Sequence, residues 1–252
     1  MTIPKPSPFG TVQTKPFFFA LASDASQKHF PYGAGILNLE STLATWTVRL
    51  SLIPNTDPMY ALRRFRDEEV RSALADLAGG PVDYPQQGVT KEGHVPAGYH
   101  KHHRRVRLGQ GREVFERACA AVDTWKMFDM PWVTLWWTDA PVELEQQVAV
   151  MSGLFGVWSL NPCRIIYLID DTQGNIRRHG FGYGTLPGHV MSGEERFMVT
   201  WDQSDDSVWY DLLAFSKPSG LLAHLALPVI RAMQWRFGTH SLKAMARHAN
   251  PS

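Results

Sequence analysis

The sequence predicts an α+β protein in which an antiparallel sheet of about six or more strands wraps around a long C-terminal helix. Three observations lead there. Between Pro131 and Pro218 the apolar period changes from helical to two, the mark of half-buried strands. Two joints inside that stretch, Asp171-Thr172-Gln173-Gly174-Asn175 and Gln203-Ser204-Asp205-Asp206, are runs of turn formers between β-branched and aromatic segments. After Pro218-Ser219 a helical stripe of Leu222, Leu225, Val229, Ala232 and Met233 begins, with Pro228 expected to kink the rod early.

The elements follow in order. Residues 1–58 carry prolines at 4, 6, 8, 16, 31, 54 and 58 and read as an extension with one or two strands, Ser41–Leu50 being the clearest. Residues 59–252 read as the folded domain. Asp67–Ala78 has helical spacing at Val70, Leu74 and Leu77, with Asp67 as a cap and Gly79-Gly80-Pro81 as a stop. Residues 81–98 hold three prolines and three glycines and read mostly as loop. A helix from about Arg112 to Met127 presents Phe115, Ala118, Val122 and Trp125 on one face. The strand segments are Trp132–Trp137, Glu145–Met151, Arg164–Asp170, Arg177–Leu186, Glu194–Asp202 and Ser207–Ser216.

A chain of 252 residues, 44% apolar and 19% charged, can bury a real core. Its formal charge of +1 gives no reason to expect nucleic acid or an anionic membrane as the main partner. Two cysteines, Cys119 and Cys163, are too few for a disulfide framework and fit a reducing cytoplasm. No apolar run approaches the roughly 20 residues of a membrane span, and Pro16–Ala22 is too short an apolar run to favour a signal peptide.

Arg177–Leu186 places Gly180, Gly182 and Gly184 on one face and His179, Phe181, Tyr183 and Thr185 on the other. Glycine costs a strand interior about 0.5–1 kcal/mol relative to alanine. Three on one face imply a bend of the sheet or the close approach of another element or ligand.

The stretch from about Met59 to Ala249 resembles a bacterial and plant family catalogued as domain of unknown function nineteen-ninety, also called the uncharacterised family five-four-eight. The resemblance rests on Asp83-Tyr84-Pro85 with Gly88-Val89-Thr90, Pro96-Ala97-Gly98-Tyr99, Leu108-Gly109-Gln110-Gly111 before Phe115, and Trp125. It continues through Arg164-Ile165-Ile166-Tyr167, Phe181–His189, Gly193–Phe197 and Ala214–Pro218. The family looks like a member of the Bet v 1 and START-related helix-grip superfamily, and the resemblance implies a cavity for apolar small molecules between sheet and helix. It carries over no catalytic residue. Because Met59 stands where the shared region begins, it is a hypothetical alternative start, which the intact mass of the native protein tests.

Among residues that could carry chemistry, His100, His102 and Arg104 share one side of an extended basic segment, and Lys101, His103, Arg105 and Arg107 the other. Four adjacent cations oppose a metal site at these histidines. Arg104, Arg105 and Arg107 beside Gly109-Gln110-Gly111 are anion-binding candidates, weighed against a charged, solvated edge strand. His189, Glu194 and Asp211 are the candidate proton carriers. Glu194 and Glu195 point oppositely on a regular strand, so the plainer reading has one pairing with Arg164 or Arg196 and the other capping the Pro187–Gly193 turn. Asp211 lies on the face of Trp209, Leu213 and Phe215, where it is either buried and paired or on a pocket rim. Ser216 and Cys163 lack the adjacent base that a nucleophile needs, and Cys119 reads as a packing residue.

The leading expectation is a protein that binds an apolar or aromatic small molecule through Tyr167, Phe181, Tyr183, Trp209, Asp211 and Met233, without a cofactor or metal. The alternatives are an enzyme doing acid–base work in the same cavity, and an interaction module using residues 1–58 and the basic strand.

Overall fold

The structure, a computed structural model, describes residues 58–251 except Thr138. The extension, its Ser41–Leu50 strand and the Pro16–Ala22 run lie outside the described residues. Eight strands form one antiparallel sheet: β1 (Met59–Ala61), β2 (His100–Gln110), β3 (Val133–Trp136), β4 (Gln147–Leu154), β5 (Val157–Gln173), β6 (Ile176–Thr185), β7 (Met191–Asp202) and β8 (Ser207–Pro218). The spatial order is β2-β8-β7-β6-β5-β4-β3, with β1 added alongside β5. All six segments expected as strands are strands, and β5 to β8 are successive antiparallel neighbours, as the two turn sequences imply. The basic segment is β2, at an edge of the sheet, and its exposed residues alternate with partly buried ones.

The helices are α1 (Asp67–Asp76), α2 (Arg112–Asp123), α3 (Gly220–Leu225) and α4 (Leu227–Ala249). Arg66, not Asp67, caps α1, and its backbone N–H donates to the Glu69 carboxylate at 2.8 Å. The helix expected to reach Met127 ends at Asp123, because Trp125 takes a left-handed backbone (φ 58°) and its indole N–H donates to the Ala140 carbonyl at 2.7 Å. Residues 81–98 are loop apart from a short 3-10 turn at Val89–Glu92. Among the described residues no helix is long and apolar enough to cross a membrane.

The C-terminal rod departs from expectation. It is two helices, α3 and α4, separated at Ala226, with Pro228 in the first turn of α4, where proline's missing N–H costs nothing. The stripe expected to be buried stands largely outside: Leu222, Leu225 and Val229 are exposed. The buried face of α4 is instead Gly238, Ser241, Ala244, Met245 and Ala249, all in its second half. Those residues are small but for Met245, so the helix backbone approaches the sheet closely there. Ser241 meets the Tyr210 hydroxyl of β8 at 3.0 Å, and a Cβ on Gly238 would stand 2.6 Å from the His102 ring.

One core lies between α2, α4 and the inner sheet face, built from Phe115, Ala118, Val122, Trp125, Phe181, Phe197, Tyr210 and Met245 among others. Fully burying a side chain such as Phe181 or Phe197 contributes about 1.5–3 kcal/mol. On the outer face α1 lays Val70 and Leu74 against Ala149, Met151 and Leu160. The loop 81–98 also closes over that face, and it explains the glycine strand. The bare side of β6 faces outward, and a Cβ at Gly182 or Gly184 would overlap the rings of Tyr167 and Tyr84. Close approach of aromatic rings is therefore the reason for both residues.

Candidate functional site

The first half of α4 is tied to the sheet along β8, where Arg231 and Gln234 donate to the Ser216 hydroxyl, and a cavity of about 450 Å³ opens beneath it. Its floor comes from β4 and β5 (Val150, Ser152, Ser159, Asn161) and from Tyr183 and Glu195. Its roof is Val229, Ile230, Met233 and Phe237 of α4. Phe128 and Trp132 add aromatic surface, and the turn after β6 contributes His189 and Val190. At the open end stand three exposed apolar side chains, Leu222, Val229 and Phe155, the last 93% exposed at the tip of the β4–β5 hairpin.

The polar groups are few and specific. Glu195 accepts a hydrogen bond from the Tyr183 hydroxyl at 2.6 Å, the pair being cross-strand neighbours on β6 and β7. Protein surrounds the carboxyl on every side but the cavity, and this desolvation pushes its pKa up to about 7 although the Tyr183 bond opposes the rise. His189 accepts the Met191 N–H on Nδ1 at 2.9 Å, and burial lowers its pKa to about 4. His102, reaching in from β2, is likewise held at about 4, first by burial and then by the Arg104 charge. Its Nε2 is buried with no hydrogen-bond partner among the described residues. Near neutral pH the site is thus two uncharged imidazoles and one carboxyl that can both hold and release a proton.

The sequence-predicted residues divide between this cavity and the rest of the molecule. Tyr183, Met233 and His189 line it. Phe181 is fully buried in the core against Trp125 and Phe197. Tyr167 and Trp209 are on the outer face, Tyr167 hydrogen-bonded to Thr90 at 2.6 Å and Trp209 beneath the Arg105 guanidinium at 4.4 Å.

Glu194 is also on the outer face, where it pairs with no arginine among the described residues. It accepts hydrogen bonds from the Tyr84 hydroxyl (2.9 Å), the Gly88 N–H (2.7 Å), the Thr90 N–H (2.9 Å) and the Thr90 hydroxyl, and so pins the 81–98 loop to the sheet. Asp211 is buried and paired, with Arg196 at 2.6 Å and His103 at 2.7 Å. Arg164 donates to the Gly80 and Leu77 carbonyls and lies 3.5 Å from Glu145. The pairing expected of Glu194 or Glu195 with Arg164 or Arg196 is therefore replaced on both arginines, and neither glutamate caps the Pro187–Gly193 turn.

The anion candidates are split between two faces of β2. Arg104 lies 4.8 Å over the Trp235 ring of α4, whereas Arg105 and Arg107 are exposed on the opposite side. Sequence reasoning did not select Glu195 as a site residue, and the usable signal was its alternation with Glu194: one of two adjacent carboxyls on a strand must face inward.

Comparison with known proteins agrees with the motifs. A UPF0548 protein of Deinococcus radiodurans is 34% identical over 202 residues, 76% of this chain and 99% of that protein. One of Dictyostelium discoideum is 38% identical over 151 residues, 57% of this chain and 69% of the other. Human STARD10 aligns at a TM-score of 0.37 and 11% identity, over 73% of this chain and 81% of that one, values too low to bear on function. The family described as domain of unknown function (DUF1990) matches residues 83–244, nearly two thirds of the sequence, and the chain belongs to that family.

Proposed function

We propose that this protein binds an apolar small molecule in the cavity between its sheet and the first half of α4. The observation that carries the reading is the contrast along α4: small residues seat its second half on the sheet, while its first half roofs about 450 Å³ of apolar-lined space. That volume lies in the range of small-molecule sites, which combine an apolar wall with a few placed polar groups. Here those groups are Glu195, Tyr183, His102 and His189.

Native mass spectrometry of gently purified protein, followed by organic extraction, tests this directly. The expected result is a discrete apolar compound, or saturable uptake of an apolar fluorescent dye, lost in Val150→Trp, whose indole fills the cavity from β4. Equal dye uptake by wild type and a folded Val150→Trp would sink the reading.

A second reading, acid–base catalysis on the bound molecule, is favoured by one observation: the Glu195–Tyr183 pair, whose carboxyl sits near pKa 7 and whose hydroxyl is 2.6 Å away. It expects the compound to be chemically altered over time. Tyr183→Phe would slow that change while leaving binding intact.

A further inference from the structure

Glu195 is the only carboxyl on the cavity wall, and the wall carries no lysine or arginine among the described residues. Among the described residues no cation pairs with it, and the Tyr183 hydroxyl donates its hydrogen bond. The titratable groups around it offer no positive charge near neutral pH. Tyr183, Tyr210 and Cys163 are all pushed well up by burial and stay neutral, while His102 and His189 are held low and are neutral too. Burying a carboxyl without a counter-charge is costly. Its structural service, accepting the hydrogen bond of the buried Tyr183 hydroxyl, needs only a neutral acceptor such as a glutamine amide, so the fold gives no use to the charge. The same cavity wall carries Tyr60, Phe128, Trp132, Tyr183 and Phe237, aromatic rings of the kind that attract cations.

We propose that the cavity's ligand is an apolar amine, its ammonium donating to the Glu195 carboxylate and its hydrocarbon or aromatic body filling the space beneath α4. The inference rests on the binding reading above and narrows its ligand class. An ammonium supplies both the missing charge and N–H donors for a carboxylate oxygen that Tyr183 leaves free, and charge-assisted hydrogen bonds are roughly twice as strong as neutral ones. An alcohol of the same shape offers one neutral donor and no charge. No covalent step is involved.

Calorimetric titration of the full chain with phenylbutylamine and with phenylbutanol, a pair alike in shape, tests the proposal. The amine is expected to bind at least about tenfold more tightly, as a hydrogen bond to a charged group does relative to a neutral one. Glu195→Gln, nearly isosteric, should bring the amine to the alcohol's affinity and leave the alcohol unchanged, and Glu195→Asp should keep the preference. Thermal melts of both variants establish that they are folded.

Equal or tighter binding of the alcohol to wild type, or an amine affinity untouched in Glu195→Gln, overturns the proposal and leaves the cavity reading standing. Loss of the preference in Glu195→Asp as well as Glu195→Gln ties it to shape and overturns it too. If neither probe binds wild type while Val150→Trp and wild type take up dye equally, the cavity reading falls with it.

Discussion

Glu194 and Glu195 are chemically identical neighbours on β7, yet the two faces of the sheet treat them in opposite ways. Outside, Glu194 is enclosed by four donors from Tyr84, Gly88 and Thr90, and beside it Asp211 is paired with Arg196 and His103. Each contact fixes the 81–98 loop or ties β8 to its neighbours β7 and β2, and among the described residues no buried polar side-chain atom of that cluster is left without a partner except Arg196 Nε. Inside, Glu195 has Tyr183 and a space. Polar groups that are fully partnered hold a fold together, and polar groups placed in an apolar cavity with partners missing are where another molecule can be recognised.

The largest effect that would sharpen this contrast is on the outer face. Glu194→Ala strands three buried donors of one loop and should cost about 4 kcal/mol, as breaking a buried charged network does. Urea unfolding would read it, and a loss under about 1 kcal/mol would show the outer network to be dispensable. Asp211→Ala leaves Arg196 buried and unpaired and should cost about 3 kcal/mol, somewhat less because water reaches the half-exposed His103 side.

On the inner face the predicted effects are smaller and depend on pH. The folded state raises the Glu195 pKa from its ordinary 4.5 to about 7, so it keeps a proton that the unfolded chain releases. Stability therefore falls as pH rises through that window and is level above it. Glu195→Gln should flatten the slope and stabilise the protein by on the order of 2 kcal/mol above about pH 7. A residual slope of the same sign belongs to Asp83, which burial raises to about 6. Thermal melts across the pH range measure it, and a variant with the wild-type slope would show Glu195 to be freely solvated.

His189 has the opposite sign. Its pKa falls from 6.5 to about 4 on folding, so its contribution is present above about 6.5 and disappears as pH drops toward 4. His189→Gln should reduce the histidine-dependent acid sensitivity in thermal melts between about pH 6.5 and 4, with His102 and, more weakly, the less buried His100 and His240 supplying the rest.

Much of the fold was legible before the structure. Alternation at Phe181 to Tyr183 and Phe197 to Trp201 is a property of a two-sided surface, so strands and hairpins could be read from it. The first half of β5 escaped because Asn161 and Pro162 interrupt its pattern, and β1 because three residues carry no period. The site was less legible. Tyr183 and Met233 were found, whereas Phe181, Tyr167 and Trp209 share their aromatic character and lie elsewhere. Composition does not separate a ring that fills a core from one that lines a pocket.

The sequence by itself determined that Glu194 and Glu195 point apart, that Gly182 and Gly184 share a face with no side chains, and that a long helix follows the sheet. Tertiary structure alone decided which face is inside. A period of two defines two faces without saying which one a distant helix or loop will cover. It also decided where the cavity is, since the seating of α4 depends on Gly238, Ser241 and Ala244 meeting β2 and β8, residues more than twenty positions away in the chain and brought together only by the closed fold.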